Sequence, residues 1–163
     1  MVDIAAVPVA PEGKRDMPTL EHGEIIAALI AALRPYVLSQ GLGRVFAPQT
    51  TYHLPDIPDR EPDASFIRRE RLPKDPNVDP DMPPDVAVEV VSRTDTFGTV
   101  NLKVKQYLAV GVRMVWLINP DLRTVDVYQP GEPSRRFNAG DTLTGDPVIP
   151  GFALPVSELF TWD

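Results

Sequence analysis

The stretch Asp85-Val-Ala-Val-Glu-Val-Val-Ser92 constrains this chain more than any other. Its β-branched and small apolar residues form the kind of run that is buried on both faces of a sheet. Glu89 sits in the middle of it. A carboxylate on a buried strand costs several kcal/mol unless a lysine, hydrogen-bond donors or a metal ion pairs with it. Strand alternation puts Glu89 on the face of Ala87 and Val91, while Val86, Val88 and Val90 point the other way.

The chain has 163 residues, 43% of them hydrophobic, enough for one domain with a real core and hardly two. No apolar run approaches the length that spans a bilayer, and the N-terminus lacks the basic-then-apolar layout of a signal peptide, so the expected location is cytoplasmic. Without cysteine, disulfides and thiolate metal sites are excluded. A net charge of −7 opposes nonspecific attachment to nucleic acid, which relies on Lys and Arg to neutralise phosphates.

Residues 1–18 read as an N-terminal arm, and residues 19–163 as a single α/β domain. Thr19 is placed to cap a helix whose stripe runs through Ile25, Ile26, Leu29, Ile30, Leu33, Tyr36 and Val37. Pro35 is expected to kink or interrupt that helix, and Gly41 and Gly43 to end it. Arg44–Ala47 and Thr50–Leu54 look like two arms of a strand or hairpin. A short strand follows at Pro62–Ile67, then a long Pro-, Asp- and Arg-rich loop from Arg68 to Pro84. Beyond the central strand, Thr94 or Asp95 is expected to cap a second helix running to about Val110. Its apolar face comprises Phe97, Val100, Val104, Tyr107, Leu108 and Gly111. Arg113–Ile118 is a buried strand, Leu122–Tyr128 its antiparallel partner, and a final hairpin with a short terminal segment packing back through Leu154, Leu159 and Phe160 completes the chain. The strand–helix–strand unit from Val86 to Ile118 predicts a parallel crossover.

Glycine-rich phosphate loops, H-E-x-x-H and G-x-S-x-G are all absent. His22 and His53 are too few and too far apart for a histidine metal site; His22 reads as a partly exposed polar residue of the first helical turn, with a catalytic or substrate-contacting role, which needs a placed partner, as the alternative. The informative constellation is Asp63 at the start of one strand, Glu89 inside the central one, and Lys103 or Lys105 on the following helix. Two carboxylates on neighbouring strands make a hard-oxygen site suited to Mg2+ or Mn2+ and to a substrate phosphate. Such an ion polarises a phosphoryl oxygen, and an ammonium beside it steadies developing charge, which together suffice for phosphodiester hydrolysis. The bland alternatives are a structural ion pair for Glu89, a turn residue for Asp63, strand-end and helix-cap roles for Ser92 and Asp95, and, for Arg68, Arg69 and Arg71, a solvated loop in place of phosphate contacts.

Pro62-Asp63 followed by Glu89-Val-Val91 resembles the bipartite signature of the PD-(D/E)XK nuclease superfamily. EPDASFI, PPDVAVEVVS, the Lys103-x-x-x-Tyr107-x-x-x-Gly111-Val spacing, VWLINP and PGFALPVSELF resemble, more closely, its Uma-type endonuclease branch. The resemblance runs from about His22 to Phe160. It implies a restriction-endonuclease-like α/β fold, a mixed central sheet flanked by helices, with an α-β-β-β-α-β core and extra C-terminal strands. It also implies an endonuclease that acts on nucleic acid, DNA above all, with Mg2+ or Mn2+ held by Asp63, Glu89 and the backbone carbonyl of Val90. The superfamily's usual lysine two residues after the glutamate is replaced by Val91, and the branch's spacing assigns its role to Lys103. Homodimers are common in this fold. Relatives carry an acidic N-terminal hairpin that this chain lacks, so the alternative is a catalytically impaired module of the same fold that dimerises or binds a partner.

Overall fold

A computed structural model describes residues 18–162; residues 1–17, which hold almost all of the expected N-terminal arm, lie outside the described residues, as does residue 163. Helix α1, Leu20–Ser39, begins where the Thr19 hydroxyl accepts the His22 amide at 3.2 Å. Ile25, Ile26, Leu29, Leu33 and Val37 are buried along one stripe. Pro35 lies inside the helix and does not interrupt it. The stripe continues past it to Val37, so packing of the last turn outweighs one missing backbone hydrogen bond. Beyond the C-cap, Gly41 adopts φ +64°, and the amides of Gly41 and Leu42 satisfy the carbonyls of Leu38 and Val37. Gly43 belongs to the next strand; a Cβ there would collide with the carbonyl oxygen of Ile67.

Six strands form one sheet in chain order: β1 (Gly43–Phe46), β2 (Ala64–Arg68), β3 (Val86–Val90), β4 (Met114–Asn119), β5 (Thr124–Tyr128) and β6 (Arg135–Asn138). Neighbours are antiparallel except β3 and β4, which run parallel and are joined by helix α2 (Phe97–Ala109). That is the expected crossover and the expected α-β-β-β-α-β order. A separate two-stranded sheet, β7 (Thr142–Thr144) with β8 (Ala153–Pro155), is the final hairpin, and Leu154, Leu159 and Phe160 join the core beside α1.

Thr50–Leu54 is not a sheet strand. Only Tyr52 makes a bridge, to Arg60, and its side chain is sunk beneath β2. The Tyr52 hydroxyl meets Ser65 at 2.7 Å, and burial pushes its pKa to about 12. The cap of α2 is Thr96, not Thr94 or Asp95: Thr96 and Thr99 exchange side-chain and backbone hydrogen bonds in a capping box. Asp95 instead accepts the Ser92 amide at 2.9 Å. Phe97, expected on the apolar face, is 88% exposed. Residues 97–99 are all exposed and Val100 only half-buried, so the helix starts ahead of the surface it packs against.

The sheet has a helix on each face. Val86, Val88 and Val90 pack with Met114, Trp116 and Ile118 against α1, whereas Ala87 and Val115 pack against Val104 and Tyr107 of α2. Alternation therefore directs Glu89, on the face of Ala87, toward α2.

At the opposite end of β3, Asp85 is fully buried. It accepts the Arg68 amide at 2.8 Å and pairs with the Arg71 guanidinium at 2.7 Å, so Arg71 holds the long loop to the sheet rather than standing as a free phosphate contact. Arg113 adds a longer contact of 3.6 Å. Removing one side of a buried ion pair strands the other. Asp85→Ala is expected to lower unfolding stability by about 3–5 kcal/mol in denaturant titration; a loss under about 1 kcal/mol would show that Arg71 and the Arg68 amide are satisfied without it.

Candidate functional site

Asp63 immediately precedes β2 and clasps β3 on either side of Glu89. Its own amide donates to the Val88 carbonyl at 2.9 Å, and its carboxylate accepts the Val90 amide at 2.8 Å. The second Asp63 oxygen lies 3.2 Å from Nε2 of His22, on the first turn of α1. Glu89, 8% exposed, directs one carboxylate oxygen to the Tyr107 hydroxyl, which donates at 2.6 Å, and the other to the Lys103 ammonium at 3.3 Å. Lys103 and Tyr107 stand one helical turn apart, so α2 presents both to the strand together. Arg60 in turn donates to Gln106, tethering the loop before Asp63 to the helix that carries Lys103.

Of the two lysines left open by periodicity, the structure brings Lys103 to Glu89, while Lys105 is exposed. Asp63, Glu89, Lys103 and Val90 all line one open cleft of about 460 Å³, together with His22, Val91 and the Ser92–Asp95 turn. His53 is elsewhere, exposed between Asp59 at 2.9 Å and Asp79 at 3.6 Å, and those carboxylates raise its pKa. Burial raises the Glu89 pKa above its ordinary value, an effect opposed by Lys103 and by the Tyr107 hydrogen bond and reinforced by the negative charge of Asp63. Burial likewise raises the Tyr107 pKa strongly, with the Glu89 charge adding to it, so Tyr107 remains a donor.

Two residues of this network were not recognised from sequence as partners of the carboxylates. Tyr107 read as core, yet its position four residues after Lys103 was the available signal. His22 read as a polar residue of the first turn; its contact with Asp63 spans 41 residues, and nothing local announces it. The cleft wall is acidic: Glu21, Glu61, Asp63, Glu89, Asp95 and Asp121 face Arg93 and Lys103. Among the described residues, no three His, Cys, Asp or Glu side chains converge as a ready metal cage. No described helix is long and apolar enough to cross a membrane.

A six-stranded mixed sheet between helices, with paired carboxylates over the parallel crossover, defines a restriction-endonuclease-like fold. One solved structure similar to the chain is described as that of a putative nuclease belonging to DUF820 from Anabaena variabilis ATCC 29413. It is 25% identical over 90% of this chain and 83% of that one, with a TM-score of 0.80. The family model Uma2, described as "Putative restriction endonuclease", matches residues 14–157, and the chain belongs to that family. No curated protein matches.

The raised pKa of Glu89 has a signed consequence. Between the ordinary Glu value of 4.5 and the raised value, the folded protein binds more protons than the unfolded chain. Stability should therefore fall as pH rises through that window and stay level, in this component, on either side. In chelator-treated buffer, Glu89→Gln should remove this part of the slope when unfolding free energies are compared across pH; identical slopes would mean that Glu89 titrates normally.

Proposed function

We propose that the protein is a metal-dependent endonuclease that hydrolyses phosphodiester bonds of DNA. The observation that carries the reading is the convergence of Asp63, Glu89 and Lys103, from β2's start, β3 and α2, on one cleft. Membership of the Uma2 family and the likeness to a solved putative nuclease support it.

The donors suit a hard divalent cation. Asp63 and Glu89 supply carboxylate oxygens from adjacent backbone positions, and their mutual repulsion, part of what raises the Glu89 pKa, is what a cation would relieve. Asp63, Glu89 and the Val90 carbonyl would hold Mg2+ or Mn2+, with waters and a substrate phosphate completing the shell. Once bound, the ion would polarise a phosphoryl oxygen and acidify a water. The remaining work falls to the chain. Tyr107 fixes one Glu89 oxygen, Asp63 is aligned by the Val90 amide and His22, and Lys103 places a positive charge where the attacking water and the developing phosphorane charge would lie.

A second reading has its own support: both oxygens of each carboxylate are already engaged inside the protein, as in a module of this fold that pairs with another copy or binds a partner without cleaving anything. Cleavage of plasmid and single-stranded DNA in Mg2+ or Mn2+ separates the two. The wild type should cut, Glu89→Ala and Asp63→Ala should lose at least about a hundredfold, and Lys103→Met a comparable factor. Equal cleavage by wild type and Glu89→Ala, or no Mn2+ binding at millimolar concentration by calorimetry, would remove the nuclease reading.

A further inference from the structure

Of the two cations that line the cleft, only Lys103 is committed within the chain. Its ammonium lies 3.3 Å from Glu89, whereas among the described residues the Arg93 guanidinium has neither an ion pair nor a hydrogen bond. Arg93 is exposed, and Asp95 and Asp121 line the same cleft without pairing with it. Asp95 is occupied elsewhere, since its carboxylate accepts the Ser92 amide at 2.9 Å. Arg71, by contrast, is held by Asp85 at the other end of β3, and none of Arg68, Arg69 and Arg71 lines the cleft.

The backbone of Arg93 is held close to the site. It belongs to the turn that joins β3 to α2, a few residues after Glu89 and Val90. The Val91 amide donates to the Ile118 carbonyl at 2.8 Å, which carries the pairing with β4 past Glu89. The Asp95 amide returns to the Ser92 carbonyl at 3.2 Å, and the hydroxyls of Ser92 and Thr94, on either side of Arg93, meet at 3.2 Å. Thr96 then begins the capping box of α2. The turn is thus tied to the strand and the helix that carry Glu89 and Lys103, while the Arg93 side chain has no internal task.

The acidic wall sharpens what such a group does. Carboxylates repel a phosphodiester backbone whether it is single- or double-stranded, so a strand that enters is held at discrete cationic points. In the phosphodiesterase reading, a divalent ion and Lys103 serve the scissile phosphate. Arg93 is the remaining cation of the lining, and it touches neither Asp63 nor Glu89. Its planar fork matches two oxygens of one phosphate. We propose that Arg93 is a substrate-binding residue that clamps a phosphate next to the scissile one. The inference rests on the phosphodiesterase reading and adds a substrate class: a polynucleotide whose scissile bond has a charged neighbour, rather than an isolated phosphate ester.

Fluorescence anisotropy tests it with a labelled DNA duplex over a series of salt concentrations, Ca2+ replacing Mg2+. Arg93→Ala should weaken binding by about tenfold and make the plot of log Kd against log salt shallower by about 0.9, the share of one phosphate contact. Arg93→Lys should keep the wild-type slope and recover only part of the affinity, because an ammonium keeps the charge and loses the fork. Short competitors locate the phosphate: TpTpT, with two phosphates, should displace the duplex from wild type about tenfold better than TpT, with one, and Arg93→Ala should lose that gain. Wild-type Kd and slope in Arg93→Ala, or a TpTpT gain that Arg93→Ala retains, overturns the proposal even where the wild type cleaves. Arg93-dependent binding of DNA that is never cut in Mg2+ or Mn2+ upholds the clamp and removes the hydrolytic reading. A wild type that binds no DNA overturns both.

Discussion

The fold is organised around one expense, a carboxylate on the buried face of a central strand. Glu89 is tolerable there because α2 lies across that face and delivers a hydroxyl and an ammonium one turn apart, at 2.6 and 3.3 Å. The arrangement depends on the parallel pairing of β3 with β4, since only a crossover connection returns a helix over the strand it has just left. Packing contributes as well: Ala87, beside Glu89 on the same face, is small enough to let Val104 and Tyr107 seat closely. The apolar and polar halves of the interface between α2 and the sheet thus fix each other's register.

Asp63 shows how the second carboxylate is held at low conformational cost. Its amide and side chain both bond the backbone of β3, at Val88 and Val90, so the segment entering β2 is clamped to the residues flanking Glu89. The distance between the carboxylates is then set by strand geometry rather than by two independent rotamers. His22 closes the arrangement from the other side of the sheet, because the N-terminus of α1 projects to the same end where Asp63 sits. Residues from both helical layers consequently meet at one end of the central strands.

Much of this was legible from local pattern. The periodicity of α1, the apolar run of β3 and the alternation of β5 are decided by burial within each element, and the structure agrees with them. The face assigned to Glu89 followed from alternation alone. What local pattern could not decide was which of several nearby candidates tertiary packing would use. Pro35 is carried inside α1 because burial of Val37 lies beyond it; Thr50–Leu54 had strand-forming residues, yet Tyr52 was more stable as a plug against Ser65 than as a ladder position. Thr96 capped α2 because Asp95 was taken up by the Ser92 amide. The contact between His22 and Asp63 joins residues far apart in the chain, and no spacing rule reaches across such a gap.

The position of the lysine has a mechanical consequence. A lysine at position 91 would share a strand with Glu89 and move rigidly with it. Lys103 is on another element, so its distance from Glu89 is only as fixed as the docking of α2. That docking rests on Val104 and Tyr107 in the interface, on the capping box at Thr96, and on the tether from Arg60 to Gln106. The tether links the helix to the very loop that leads into Asp63, so the three charged groups form a closed circuit: strand to helix through Glu89, helix to loop through Arg60, loop back to strand through Asp63. A displacement of any one member is resisted by the other two, which is how a site assembled from three separate elements keeps the rigidity that a single strand would otherwise supply.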